Sequence, residues 1–333
     1  MKFGIIASHQ YSFEDDLQQR LAELWDIVEH AASLGYSSVW AINHFLGSLN
    51  TPQPISMMAK LIDHSGDMQI GSGILLLPLY NPIHVAEEFA TLDQLSRGRV
   101  ILGVGAGYRE HEFRSMGVPM KGRAKRLEES VQLIRALWSG ERVSFEGTHY
   151  QIEDQRIGCL PFRQGGPPIW IGAGSIPAVQ RAARLADAWY APGNSPNPRY
   201  LGKAVATYDE ALAEYGRTDE IVERPVGVEL YCAPTSEQAW DEALPFVRTE
   251  YHTYGEYEEL SWQKERFDEI VANTLFIGSP EDLIARIRPF AELGFNHLIF
   301  RPFWLGMPAE QAKRSLGLFA QEVMPAFAET VAA

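Results

Sequence analysis

Residues 99–107 read Arg-Val-Ile-Leu-Gly-Val-Gly-Ala-Gly. Val100 to Val104 make an apolar run of strand length, entered through the turn-forming Leu95-Ser-Arg-Gly-Arg99 and left through a glycine cluster. Before it, residues 82–96 read as a helix with Pro82 in its first turn. After it, Leu127, Val131, Ile134 and Leu137 line one face of a helix over 123–138. A strand that is apolar on both faces and lies between two helices belongs to a parallel sheet covered on both sides. The same alternation extends outward. Strands are expected at 2–7, 38–43, 69–77, 168–172, 187–191, 225–232 and 297–301, separated by helical periodicity at 17–31, 54–65, 177–186, 198–215, 280–293 and 309–329. Residues 141–152 read as an interrupting hairpin and 275–278 as a short extended piece. With strand 99–104 the count reaches eight, which closes a (β/α)8 TIM barrel, whereas six would favour an open sheet. No Pro-, Gly- or Ser-rich linker divides the chain, so 1–333 is read as one α/β barrel domain, with 235–273 a helical insertion near the mouth.

Composition narrows the function. The 333 residues are 46% hydrophobic and 22% charged, which excludes disordered, collagenous and disulfide-scaffold classes. Lys and Arg number 29 against 43 Asp and Glu, a formal charge of −14, and such a surface repels polyphosphate, so nucleic acid is not an expected partner. The longest apolar run, Ile74 to Leu79, is too short to span a membrane. Glu14, Asp15 and Asp16 sit where a secretory leader would have its apolar core. Cys159 and Cys232 form no CxxC, and the expected compartment is the reducing cytoplasm.

A barrel of this type carries its site at the C-terminal ends of the strands. There the sequence places Ser8-His-Gln10, Asn43-His-Phe45, Leu77 to Tyr80, Gly105 to Tyr108, Gly172 to Ser175, Trp189-Tyr190 and Arg301 to Trp304. Carboxylates are scarce among them, with Glu110 and Glu112 a little further out. The paired acids of a glycoside hydrolase are therefore not expected, and the scattered histidines include no HExxH, so no metal site is expected. Gly103-Val-Gly105-Ala-Gly107 lacks the third glycine of a dinucleotide fingerprint, because position 108 is tyrosine, and reads as close backbone approach in the barrel or to a flat ring. Gly172-Ala-Gly-Ser175 before a helix with Pro177 in its first turn suits a phosphate, and equally an ordinary strand-to-helix turn. His44 is a candidate acid or base, or a satisfied half-buried histidine, and Asn43 beside it is a candidate partner or a turn former.

Taken together, several stretches resemble the bacterial luciferase-like superfamily of flavin-dependent oxidoreductases. They are Ala90-Thr-Leu-Asp-Gln-Leu-Ser-Arg-Gly-Arg99 with Val100 to Gly107, Leu34 to Trp40, Glu112 to Pro119, Pro167 to Gly172, Arg181 to Trp189, and Arg301 to Met307. The resemblance runs from about residue 2 to 325 and implies a barrel that binds FMN or the deazaflavin F420 at its mouth. It implies an active-site histidine at His44, although Asn43 replaces the acid that precedes it in F420-dependent members. It implies a cis peptide at Gly73-Ile74 behind the flavin ring, and a cofactor cradle of Gly105, Ala106, Gly107 and Tyr108. It assigns the flavin phosphate to Gly172, Ala173, Gly174 and Ser175. Ala106 stands where luciferases have an arginine, which leaves Arg123 or Arg126 to supply that charge. Tyr108 stands where some F420-dependent dehydrogenases have glutamate, which favours FMN.

The resulting expectation is an FMN-dependent monooxygenase that uses reduced flavin, delivered by a separate reductase, and O2. The alternatives are an F420-dependent reductase or dehydrogenase and a non-catalytic flavin-binding protein. Asn43 and His44 are the expected catalytic residues, and Tyr80, Trp189, Phe303 and Trp304 the substrate contacts. Loops 44–56, 191–199 and 248–273 are expected to form the lid, with Tyr251, Tyr254, Tyr257 and Trp262 among Glu256, Glu258 and Glu259, over a small and fairly apolar substrate. A homodimer is the family's habit.

Overall fold

A computed structural model describes residues 1–193, 198–256 and 260–331. Eight parallel strands form the barrel: β1 Lys2–Ala7, β2 Ser38–Ala41, β3 Gln69–Ser72, β4 Val100–Gly105, β5 Ile169–Gly172, β6 Ala188–Pro192, β7 Pro225–Cys232 and β8 His297–Arg301. Each pairs with the next, β1 pairs with β8 through Lys2 opposite His297, and β6 meets β7 through Val226 opposite Ala191, so the sheet closes. Seven of the helices that follow strands pack outside it: α1 Leu17–Ser33, α2 Pro54–His64, α3 Pro82–Ser96, α4 Arg123–Trp138, α5 Ile176–Leu185, α6 Pro198–Glu214 and α7 Pro280–Glu292. An eighth, α8 Ala309–Leu318, follows β8. This is the α/β TIM barrel that the alternation predicts. Val143–Glu146 and Gln151–Gln155 form the hairpin. Three helices, Ser236–Tyr254, Trp262–Glu265 and Phe267–Thr274, fill the insertion and lead to the short strand Leu275–Gly278, which pairs with the far end of β7.

The third strand departs from expectation. It does not run unbroken over 69–77. Ladder pairing stops at Ser72, the Gly73–Ile74 peptide is cis, and Leu75–Leu76 then pairs with β4. The turn before β4 behaves as predicted, with Arg97 and Gly98 both left-handed at φ 55° and 84°. Buried Asp93 accepts from the Arg163 guanidinium at 2.9 and 3.1 Å, and the Arg99 guanidinium donates to Ser65 Oγ and the Met68 carbonyl. This familiar stretch therefore fastens the closed end of the barrel.

Period-2 alternation divides each strand between two cores. Outward residues such as Val226, Val228 and Leu230 join the helices in the main core. Inward residues Trp40, Trp170 and Tyr190 fill the barrel as a tilted aromatic stack, with centroids 4.8 and 5.5 Å from Trp40. Glycines opposite make that possible: a Cβ on Gly71 would lie 2.2 Å from the Trp40 ring. On Gly103 it would lie 1.9 Å from the Ser72 carbonyl oxygen, a backbone atom that cannot rotate away. Gly103→Ala is therefore expected to destabilise the protein by about 3 kcal/mol, the upper end for overpacking, and a denaturant midpoint unchanged from the parent would refute this packing account.

Candidate active site

The open end of the barrel holds two cavities. The larger, about 580 Å3, has a floor of small residues from four strand ends: Gly73, Ala106-Gly107, Gly172-Ala173-Gly174 and Gly227. Ile74, Tyr108, Tyr190 and Pro192 rise around it. Gly107 has to be glycine, since its φ is +76° and a Cβ would meet the Phe113 ring at 2.8 Å. Gly105 lies under Ile74, whose Cδ1 would sit 1.9 Å from a Cβ there. Arg123 lines one end and donates from Nε to the Gly107 carbonyl at 3.0 Å. At the same cavity Ser175 caps α5 without a side-chain hydrogen bond; Pro177 has no N–H and the Ala178 N–H is spent on the Ser175 carbonyl at 2.9 Å, so the helix start offers chiefly its positive dipole end. Arg126, one turn beyond Arg123, is half-buried and does not line the cavity.

His44 lines the second cavity, about 290 Å3, with Gln10, Asn50, Thr51, Gln53 and Arg109. Its Nδ1 lies 3.1 Å from Oε1 of Glu112, a fully buried acid on the short helix Glu110–Ser115. The same oxygen accepts the Phe45 amide N–H at 2.9 Å. An oxygen that accepts twice from this side assigns the imidazole proton to Nδ1 and leaves Nε2 as the acceptor. Burial pushes the His44 pKa below its ordinary value; the hydrogen bond from Glu112 opposes this, and the Arg109 and Arg301 charges add to it. The ring is thus a neutral base near pH 7.

Asn43 serves the frame. Its Oδ1 accepts the Leu76 N–H at 3.0 Å, just past the cis peptide, and its Nδ2 donates to Gln53 Oε1 at 3.2 Å. Gln53 in turn donates to the His44 carbonyl at 3.1 Å. Both ends of the Asn43 amide are thus engaged with the frame that holds the histidine segment. The expected substrate contacts are also displaced. Trp189 faces outward from β6, packs on Tyr208 and Phe295, and donates to the Ala173 carbonyl at 2.9 Å. It supports the Gly172–Ser175 loop from behind. Tyr80 packs at a tilt against Phe45 in a separate apolar cluster with Leu79 and Phe113. Phe303 and Trp304 border a narrow cleft of about 30 Å3 beside Leu24 and Ile27.

Three polar residues that organise the mouth were not singled out from sequence, Glu229, Glu250 and Arg109, and Glu112 was noted only as a carboxylate beyond the strand ends. Glu229 stands in the larger cavity and accepts from Trp304 Nε1 at 2.7 Å and from the Tyr251 hydroxyl at 2.9 Å. Arg301, half-buried at the end of β8, pairs with Glu250, which also accepts the Leu305 N–H at 2.9 Å. Tyr254 donates to Gln10, and its ring lies 5.6 Å from the Arg109 guanidinium carbon. The helix Ser236–Tyr254 is thereby tied to the strand ends by Glu250, Tyr251 and Tyr254. Tyr257, Glu258 and Glu259 and part of loop 191–199 lie outside the described residues. The cavity that His44 lines mixes its polar residues with Phe13, Leu46 and Leu49.

Comparison with known proteins agrees with the fold. The chain is 29% identical over 318 residues to a protein of Amycolatopsis mediterranei named F420-dependent glucose-6-phosphate dehydrogenase, across 90% of this chain and 93% of that one. A monooxygenase structure from Streptomyces bottropensis superposes with a TM-score of 0.89 at 23% identity, over 98% of this chain and 100% of that one. An F420-dependent secondary alcohol dehydrogenase, in complex with an F420-acetone adduct, superposes at 0.81 with 21% identity, over 98% of each chain. At these identities the two structures speak to the fold. The family model for luciferase-like monooxygenases matches residues 1–297, which carry β1 to β7, His44 and its Glu112 partner, and the start of β8. The chain belongs to the luciferase-like monooxygenase family, a family of oxidoreductases.

Proposed function

We propose that this protein is an F420-dependent oxidoreductase that removes a hydride from a hydroxyl-bearing carbon. The observation that carries the reading is the His44–Glu112 pair: a neutral imidazole that lines the smaller cavity, with its tautomer fixed by a buried carboxylate. Oxidising an alcohol requires an acceptor for the hydroxyl proton, and Nε2 of His44 is that acceptor. The names of the similar proteins support the deazaflavin over the FMN that the sequence alone favoured.

The residues present fit a flat, phosphate-bearing cofactor. The glycine and alanine floor lets a ring approach the backbone, and Arg123 with the positive dipole end of α5 suits the phosphate. When bound, the deazaflavin supplies two-electron acceptor chemistry. The chain supplies the rest. Glu112 orients His44, and Arg109 and Arg301 help keep it uncharged.

Anaerobic F420 reduction by a panel of alcohols, followed by cofactor absorbance, tests the reading. No reduction by any member, together with O2 consumption in the presence of reduced FMN, would return the monooxygenase. Arg123→Ala is expected to weaken F420 binding about tenfold, the worth of one charge-assisted contact. Unchanged affinity in a fluorescence titration would remove Arg123 from the phosphate end.

A further inference from the structure

The cavity beside His44 changes character from inside to outside. Among its lining residues Arg109 and Leu49 are buried and His44 is half-buried. Phe13 and Leu46 are 68% and 67% exposed, so they mark the edge that meets solvent. Gln53, the third exposed lining residue, is spent on Asn43 and the His44 carbonyl. The edge left open is therefore apolar, and the proton acceptor lies further in.

Both exposed side chains stand on fixed backbone. Phe13 sits on the Ser12–Asp15 turn, where the Asp15 N–H donates to the Ser12 carbonyl at 3.2 Å and the Ser12 N–H to Asp15 Oδ2 at 3.0 Å. Leu46 follows Phe45, whose N–H is held by Glu112. Two backbone bonds between Tyr11 and Asn50, at 2.9 and 3.1 Å, tie the two loops together. Leu46 also has a φ of +50°, a left-handed conformation unfavourable for leucine. The other non-glycine residues with positive φ among the described ones have ordinary reasons: Arg97 ends a helix, and Asp154 has the short polar side chain that this region tolerates. A single exposed leucine or phenylalanine needs no explanation, but two from separate loops, one of them strained, on the cavity that holds the candidate base call for a ligand.

We infer that this cavity takes an amphipathic alcohol, its carbinol inside at His44 and an unbranched apolar chain lying outward against Phe13 and Leu46. The inference rests on the alcohol-oxidising reading above and departs from the sugar phosphate in the names of the similar proteins. Size sets the upper bound. A volume of about 290 Å3 holds about ten non-hydrogen atoms at the ~30 Å3 that each water takes in the liquid, so chains up to octanol fit.

The test is calorimetric binding of straight-chain primary alcohols from propanol to octanol, with and without saturating F420. Affinity is expected to rise about two- to fourfold per added carbon, up to the worth of a fully buried methylene. Sorbitol, with the carbon count of hexanol, is expected to bind at least about fivefold more weakly, because its hydroxyls would face the apolar edge. Leu46→Asn keeps the left-handed backbone, which asparagine tolerates, and removes only the apolar surface. Combined with Phe13→Ser it is expected to weaken octanol about tenfold and propanol less than about twofold, with F420 affinity and melting temperature unchanged. A flat chain-length series, sorbitol binding as tightly as hexanol, or a double variant that keeps the full rise would overturn the inference. The cofactor-free series separates the two readings. A failed F420 assignment appears as absent fluorescence quenching, whereas the chain-length dependence is still read on the protein alone.

Discussion

His44→Ala is expected to lower F420-coupled alcohol oxidation by about 10²- to 10⁴-fold, the usual worth of a positioned general base. The F420 dissociation constant should stay within about threefold, because a loss confined to the transition state leaves ground-state binding intact. The expectation follows from geometry: His44 lines the smaller cavity, its Nδ1 is held by Glu112, and Nε2 remains as the proton acceptor. The pH profile adds a signature. Burial and the two arginine charges lower the His44 pKa. The base form rises as pH passes upward through that value, so the acid limb of kcat/KM should lie below the ordinary histidine value of about 6.5. Turnover within threefold of the parent in the alanine variant would remove His44 from the chemistry.

Glu112→Ala is expected to be nearly as severe, about 10²-fold or more in kcat, because a base left in the wrong tautomer or orientation is a poor one. The substitution also strips the Phe45 N–H of its acceptor, so local order would suffer too. Glu112→Gln separates the effects: the amide oxygen can still accept from Phe45 and His44, while the charge is gone. Since Glu112 raises the His44 pKa, the acid limb should move to lower pH in the Gln variant, with a smaller loss of rate. A Gln variant with an unmoved acid limb and full activity would show that Glu112 only packs.

The fold was legible because barrel strands are buried on both faces and the helices between them are strongly amphipathic; strands Pro225–Cys232 and His297–Arg301 fall where the apolar runs place them. The break at Gly73–Ile74 was not, since Ile74-Leu-Leu-Leu77 reads as one apolar run and only the familiar motif marked the cis peptide. The small residues Ala106–Gly107 and Gly172–Gly174 that line the larger cavity were legible as a glycine pattern at strand ends. Glu229 carried an unused signal: it and Gly227 occupy inward positions of a strand whose alternate residues are valine and leucine, so an acid there faces the barrel mouth. Glu112 carried none, for the helix Glu110–Ser115 is too short for a periodic pattern and its pairing with His44 spans 68 residues. Trp189 misled in the opposite way. An aromatic at a strand end lies inside or outside according to strand parity, and Trp189 has the outward one.

The measurement that bears most directly on this account is an anaerobic fluorescence titration of the protein with F420, FMN and reduced FMN in parallel, read on its eight tryptophans. F420 binding at least tenfold tighter than either form of FMN, a difference of about 1.4 kcal/mol, is the predicted result. Selective binding of FMN with no response to F420 would contradict it.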